Sequence, residues 1–357
     1  MRTKSISAAF AMSMGLMAQD LTPAQFKARC ETSPNNTFTV STPTKILGTA
    51  PAVTVVNTGC RVVFNATGKI EADQSAFQFA GPLVFQAGPT VEVNLVKSLW
   101  TAPSVQITEG ASASLILVES TVKATAGNIT IALASDGKID AAGPYAGQLN
   151  ALEAAGNVRV TGGARSAFSI QSSSVRAGGA FNLSFSGTEA NLQLTGSSIV
   201  AEAGAISVIS TGTFATFDLT NATLDASAGI TLAARGAEGK VLAANLITDS
   251  GTGATLIEAG TGASAKASVK VAESNITSGG AVTILASRNS NEGETVVEVS
   301  TISAGGAVRI ESGNGGTTTA VNNGLTSPVS IRVFTPPSGS CLAEGNTAVA
   351  PVLQLCP

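Results

Sequence analysis

The sequence has 357 residues, 44% of them hydrophobic, but only 4% are aromatic and 12% charged, and 38 are glycine. This hydrophobicity and the small formal charge of −3 exclude a disordered chain, and glycine at about one residue in nine excludes collagen. The absence of histidine and of any long basic run excludes Ser-His-Asp and Cys-His catalysis, HExxH zinc sites and nucleic-acid binding through clustered Lys and Arg.

Arg2 and Lys4 precede a mostly apolar stretch from Ile6 to Met17, and Ala18 is a small residue suited to cleavage before Gln19. This pattern predicts a secretory signal peptide over residues 1–18. Its removal takes the formal charge from −3 to −5. The stretch is short for a membrane span, and no integral membrane segment is expected in the mature chain. Residues 19–60 read as an N-terminal cap. Within it, Thr22-Pro23-Ala24-Gln25 predicts a helix start, with Thr22 as N-cap and Pro23 in the first turn. The helix should end near Cys30, with Phe26 as its apolar anchor.

The four cysteines form no CxxC pair, and they fall in two groups. The simplest pairing is Cys30–Cys60 and Cys341–Cys356, although spacing alone allows three connectivities. Either bridge implies an oxidising compartment.

Residues 61–335 are organised by a degenerate repeat. Ser274-Asn-Ile-Thr-Ser-Gly-Gly-Ala-Val-Thr-Ile284 and Ser300-Thr-Ile-Ser-Ala-Gly-Gly-Ala-Val-Arg-Ile310 show it most clearly. Aligned on the first apolar position, the column runs Ile70, Trp100, Val122, Leu152, Val175, Ile199, Leu224, Ile247, Ile276, Ile302 and Leu325. Its members recur about every 25 residues. Two residues earlier stand Gly68, Ser98, Ser120, Asn150, Ser173, Ser197, Ala222, Asn245, Ser274, Ser300 and Asn323, a column expected to stack as a polar ladder. Pairs such as Phe168/Ile170 and Val282/Ile284 alternate with period two, the mark of short strands with one buried face. Gly-rich corners break the runs. No LxxLxL pattern with a helical return is present, and the density of Gly, Thr and Val argues against helical repeats. The expected fold is all-β, a right-handed parallel β-helix of about eleven coils.

Longer coils mark excursions at Asp136 to Gln148, Gly251 to Ala263 and Ser287 to Glu294. They supply Tyr145, Asn289 and Asn291 as candidate contact residues. Pro336-Pro337 should stop the last coil, leaving residues 336–357 as a capping cysteine loop.

The outward position after the apolar column places Lys123, Glu153, Arg176 and Asp225 along one face. Secreted β-helical polysaccharide lyases and hydrolases need carboxylates and a basic residue of this kind. The same stack also serves as an exposed ion ladder, which is the preferred reading because no paired-Asp motif is present. Thr248, Thr277, Ser303 and Thr326 have the composition of an ice-binding face, but variable coil lengths spoil the flat array that such a face requires. Ser312-Gly-Asn-Gly-Gly316 leads into no helix and is followed by no Lys, so it is no phosphate cradle. No cofactor or metal site is expected.

The coils, the export signal and the Ala/Gly/Ser/Thr-rich composition together resemble the β-helical passengers of bacterial adhesins, the filamentous-haemagglutinin-like proteins and autotransporter passengers. The resemblance covers about residues 60–335. It implies a non-enzymatic structural or adhesive solenoid, exported through the periplasm to the cell surface or beyond. Its partners would be other copies, surfaces or glycans. The alternative is a polysaccharide lyase or hydrolase of the secreted β-helix type. No C-terminal membrane barrel or two-partner secretion domain is recognisable in these residues.

Overall fold

In the computed structural model, which describes residues 19–49, 52–64, 69–86, 88–261, 266–287 and 293–356, the alternating runs become short parallel strands, three to a coil. Leu99–Ala102, Val105–Thr108 and Ser114–Val118 follow one another in the chain and lie in three different sheets. One coil later, Thr121–Ala124 pairs with Leu99–Ala102, and Ile129–Leu133 pairs with Val105–Thr108, both in parallel. Sheet 1 begins at Gln19–Leu21, sheet 2 at Val53–Val56 and sheet 3 at Thr37–Val40. Among the described residues they contain 14, 13 and 14 strands. At the usual strand spacing, about 13 coils make a rod of about 60 Å.

The expected eleven coils are therefore too few, because strands run through both regions read as caps. Thr37–Val40, Thr44–Leu47 and Val53–Val56 already belong to the three sheets. Ser340–Glu344, Thr347–Val349 and Val352–Leu355 form a final coil where a cysteine loop was expected. Cys341 and Cys356 bridge the first and last parts of that coil. The region from Asp136 to Gln148 likewise contains the sheet 1 strand Lys138–Ala142, which confines the excursion to its second half.

The N-terminal helix spans Pro23–Thr32, with Thr22 as N-cap. Thr22 Oγ1 accepts from the Gln25 N–H, and Gln25 Oε1 accepts from the Thr22 N–H, at 3.3 and 2.8 Å. Two otherwise unpaired donors are thus satisfied reciprocally. Phe26 is fully buried against Phe38, Phe77 and Trp100, with ring centroids 5.7, 5.0 and 5.6 Å away. The Cys30–Cys60 disulfide ties the helix to the first residue of a sheet 3 strand. Seven aromatics from Phe26 to Trp100 are thus buried near the N-terminal end, while Phe168, Phe181, Phe185 and Phe217 are buried in the middle of the rod. The expected signal peptide, Gly68, Asn289 and Asn291 lie outside the described residues.

The corner from sheet 1 to sheet 2 is built the same way in coil after coil. One residue there is left-handed: Gln74, Lys97, Glu119, Ser172, Gly196, Asn221, Asn245, Glu273, Val299, Asn322 and Gly345 have φ between 46° and 63°. The next residue carries the polar ladder. Ser98 Oγ donates to the Val96 carbonyl at 2.8 Å and accepts from the Ser75 N–H at 3.1 Å. Ser300 Oγ donates to the Glu298 carbonyl at 2.8 Å and accepts from the Ser274 N–H at 3.1 Å. Each such hydroxyl satisfies the backbone N–H that the sharp corner takes out of the strand ladder, and gives a second bond to a carbonyl that already accepts from the preceding coil, as Val96 does from Gln74 and Glu298 from Glu273. The stack is therefore mainly side chain to backbone. Direct bonds between ladder side chains occur at Ser75–Ser98 and Asn323–Asn346, at 3.1 and 3.0 Å.

Two members of the expected apolar column stand elsewhere. Ile70 is buried, but it lies in sheet 1 opposite Thr44 and Val93; Phe77 is the residue aligned with Trp100. Ile247 is 50% exposed, and Thr248 takes the inward place between Leu224 and Ile276. A one-residue shift exchanges the two faces of a strand. The misleading signal is Asn245. Its side chain serves the left-handed corner, donating from Nδ2 to Asn221 Oδ1 at 3.1 Å, while buried Leu246 occupies the ladder position.

Candidate functional site

The outer face of sheet 2 brings three of the four candidate residues together. Lys123, Glu153 and Arg176 occupy the same register on successive strands Thr121–Ala124, Leu152–Ala154 and Ser174–Ala177. Glu153 Oε1 lies 2.9 Å from Lys123 Nζ and 3.9 Å from Arg176 Nη1. Arg176 Nε continues the chain of charges to Glu202 Oε1 at 3.0 Å. Partial burial pushes the Glu153 carboxyl up. Hydrogen bonds from Lys123 and Asn150 and the charges of Lys123 and Arg176 outweigh it and hold the group below the ordinary carboxylate range. Asp225 is separated from Arg176 by Val200 and is followed in the same column by Asp249. Lys123, Glu153, Arg176 and Glu202 thus direct their charges at one another, in the manner of an exposed ion ladder.

Tyr145 is partly buried on the excursion beside this face. Its N–H donates to Thr121 Oγ1 at 3.2 Å, and its carbonyl accepts from the Gln148 N–H at 2.8 Å. The first bond pins the loop to sheet 2, and the second closes a turn within the loop. Among the described residues no cluster of acidic or cysteine side chains could hold a metal ion.

Sheet 3 carries a shallow groove of about 390 Å³ lined in part by Arg159, Asn182 and Ser207. These are outward residues of three successive strands, so the groove runs along the rod axis. Next to it Asn128 Oδ1 accepts from the Asn157 N–H, and Asn157 Oδ1 accepts from the Ala180 N–H, each at 2.7 Å. Both amide groups are fixed by the coil that follows them.

A larger cleft of about 590 Å³ lies where sheet 3 turns into sheet 1. Arg165, Glu189, Asn191, Phe214 and Thr216 line it. Sequence reasoning missed Glu189 and Phe214, which carry no periodic signal of their own. It also missed Glu109, at the corner after Val105–Thr108. Glu109 is 5% exposed, and neither carboxyl oxygen has a partner. Burial pushes its pKa up to about 8.

Among the described residues no helix is long and apolar enough to cross a membrane. No protein-family model matches the chain, and neither does any curated protein or any solved structure. What is established for this chain is a parallel β-solenoid fold closed by two disulfides.

Proposed function

We propose that this chain is an exported, non-enzymatic structural or adhesive solenoid of the bacterial cell surface. The observation that carries the reading is the continuity of the three sheets, which run in parallel register from Gln19 to Leu355. Such a stack gives a stiff body whose outer faces are long, regular and rich in Thr, Ser and Asn. A chain with only 12% charged residues has little field to steer a charged substrate and is better suited to broad contact. The two disulfides fit an oxidising compartment. The helix Pro23–Thr32 covers the core of the first coil, so self-association at that end would proceed through the cap or through lateral faces rather than by coil-on-coil stacking.

Fractionation of producing cells combined with immuno-electron microscopy tests the proposal. The protein is expected on the outer surface or in extracellular material, with both disulfides intact. A reduced protein confined to the cytoplasm would overturn it.

A further inference from the structure

In sheet 1, strands Ser114–Val118 and Lys240–Ala244 are five residues long, whereas Glu189–Thr195 and Phe214–Thr220 have seven. Their first residues, Glu189 and Phe214, pair with each other and form a ledge at the corner of the rod. Phe214 is 47% exposed and is the one exposed aromatic side chain among the described residues. In a chain that places nearly all its rings in the core, this ring faces the 590 Å³ cleft. Arg165, on the preceding coil, gives both arms of its guanidinium to Asp136, with Nη2 at 2.7 Å from Oδ2. Glu189 makes no hydrogen bond and no close ion pair among the described residues, although its charge interacts with that of Arg165 across the cleft. Asn191 and Thr216 point outward from the same two strands, one pleat further along.

We propose that this ledge binds a pyranose ring of a surface glycan, an inference that rests on the adhesive reading and supplies its ligand class. An aromatic ring carries negative charge on its face and attracts the partially positive C–H hydrogens of one sugar face. Sugar hydroxyls can donate to the Glu189 carboxylate, whose oxygens accept no hydrogen bond among the described residues, and accept from the Asn191 amide or the Thr216 hydroxyl. A cleft of this volume, with one apolar platform and a few convergent polar groups, is of ordinary ligand-site size. Because Glu189 and Phe214 sit within paired strands and not on a loop, the site is held ready before binding.

Isothermal titration of the purified protein against cellotriose, chitotriose and mannotriose tests the inference. At least one trisaccharide is expected to bind. Phe214→Ala should weaken it about tenfold, the scale of a lost ring contact. Glu189→Gln should weaken it less, and Phe214→Trp should retain it, with thermal unfolding unchanged in all three variants. Binding that Phe214→Ala leaves intact would overturn the ledge, and so would the failure of all three sugars to bind. In either case the adhesive reading is judged separately, by whether the unmodified protein is found on the cell surface.

Discussion

Replacing Glu109 by Gln should remove much of the protein's pH-dependent instability. The folded protein buries this carboxyl without a partner, and burial raises its pKa from 4.5 to about 8. Between those values the folded state keeps a proton that the unfolded chain has released. The contribution of this group to stability is therefore fully present below pH 4.5, falls as pH rises through the window and is gone above pH 8. Each pH unit in the window costs about 1.4 kcal/mol. The whole window corresponds to about 5 kcal/mol, of which about 3 kcal/mol is already lost at pH 7. Glutamine keeps the shape and does not ionise, although it still buries an unpaired amide. The slope against pH is therefore more informative than the absolute stability. The single tryptophan, Trp100, is buried one strand before Glu109 in the same coil, so its fluorescence reports unfolding at that place. Urea midpoints at pH 5, 7 and 9 should fall steeply for the unmodified protein and much less for Glu109→Gln. Parallel curves for the two proteins would refute the reasoning.

Thr248→Val should stabilise the protein by about 1–2 kcal/mol, seen as a higher urea midpoint, because the Thr248 hydroxyl is buried and unpaired. Val299→Asn should add about 1 kcal/mol by relieving a β-branched residue held at φ 49°, and thermal unfolding checks it. Ser300→Ala leaves the Ser274 N–H without its partner, while the Glu298 carbonyl keeps the Glu273 N–H. It should cost about 1–3 kcal/mol and speed hydrogen exchange at the Ser274 amide. Reducing both disulfides should cost about 2–4 kcal/mol at each end, and exchange should rise in the first and last coils while the middle stays protected.

Much of the fold was legible because a solenoid writes its core into the sequence repeatedly. Trp100, Val122, Leu152, Val175, Ile199 and Leu224 stand in one inward column, as the spacing predicts. The helix start at Thr22-Pro23 was readable because capping chemistry is local, and the two disulfides follow the simplest of the three connectivities that spacing allows. The left-handed corner was not legible. Gly196 and Asn221 announce such a backbone, but Lys97, Glu119 and Val299 adopt it with no compositional cue. Those residues are placed there by the strands on either side. The shift at Ile247 has the same origin, because a polar corner residue and a polar ladder residue stand one position apart and look alike in sequence.

The candidate sites were less legible for a reason that follows from the same architecture. Inward positions of a stacked coil are constrained by the coils above and below, so their identities recur. Outward positions are constrained only by solvent and by charge neighbours, and recurrence there produces ion ladders such as Lys123–Glu153–Arg176. Phe214 looks in sequence like one more apolar residue in Phe214-Ala-Thr-Phe-Asp-Leu, where Ala215, Phe217 and Leu219 are the buried set. Its outward place follows from parity, but its exposure at a ledge depends on two neighbouring strands each starting earlier than the five-residue strands Ser114–Val118 and Lys240–Ala244 of the same sheet. A site on such a rod is recognised by a local departure from its repeat, and the departure at Glu189 and Phe214 is one of strand length, which residue identities alone do not encode.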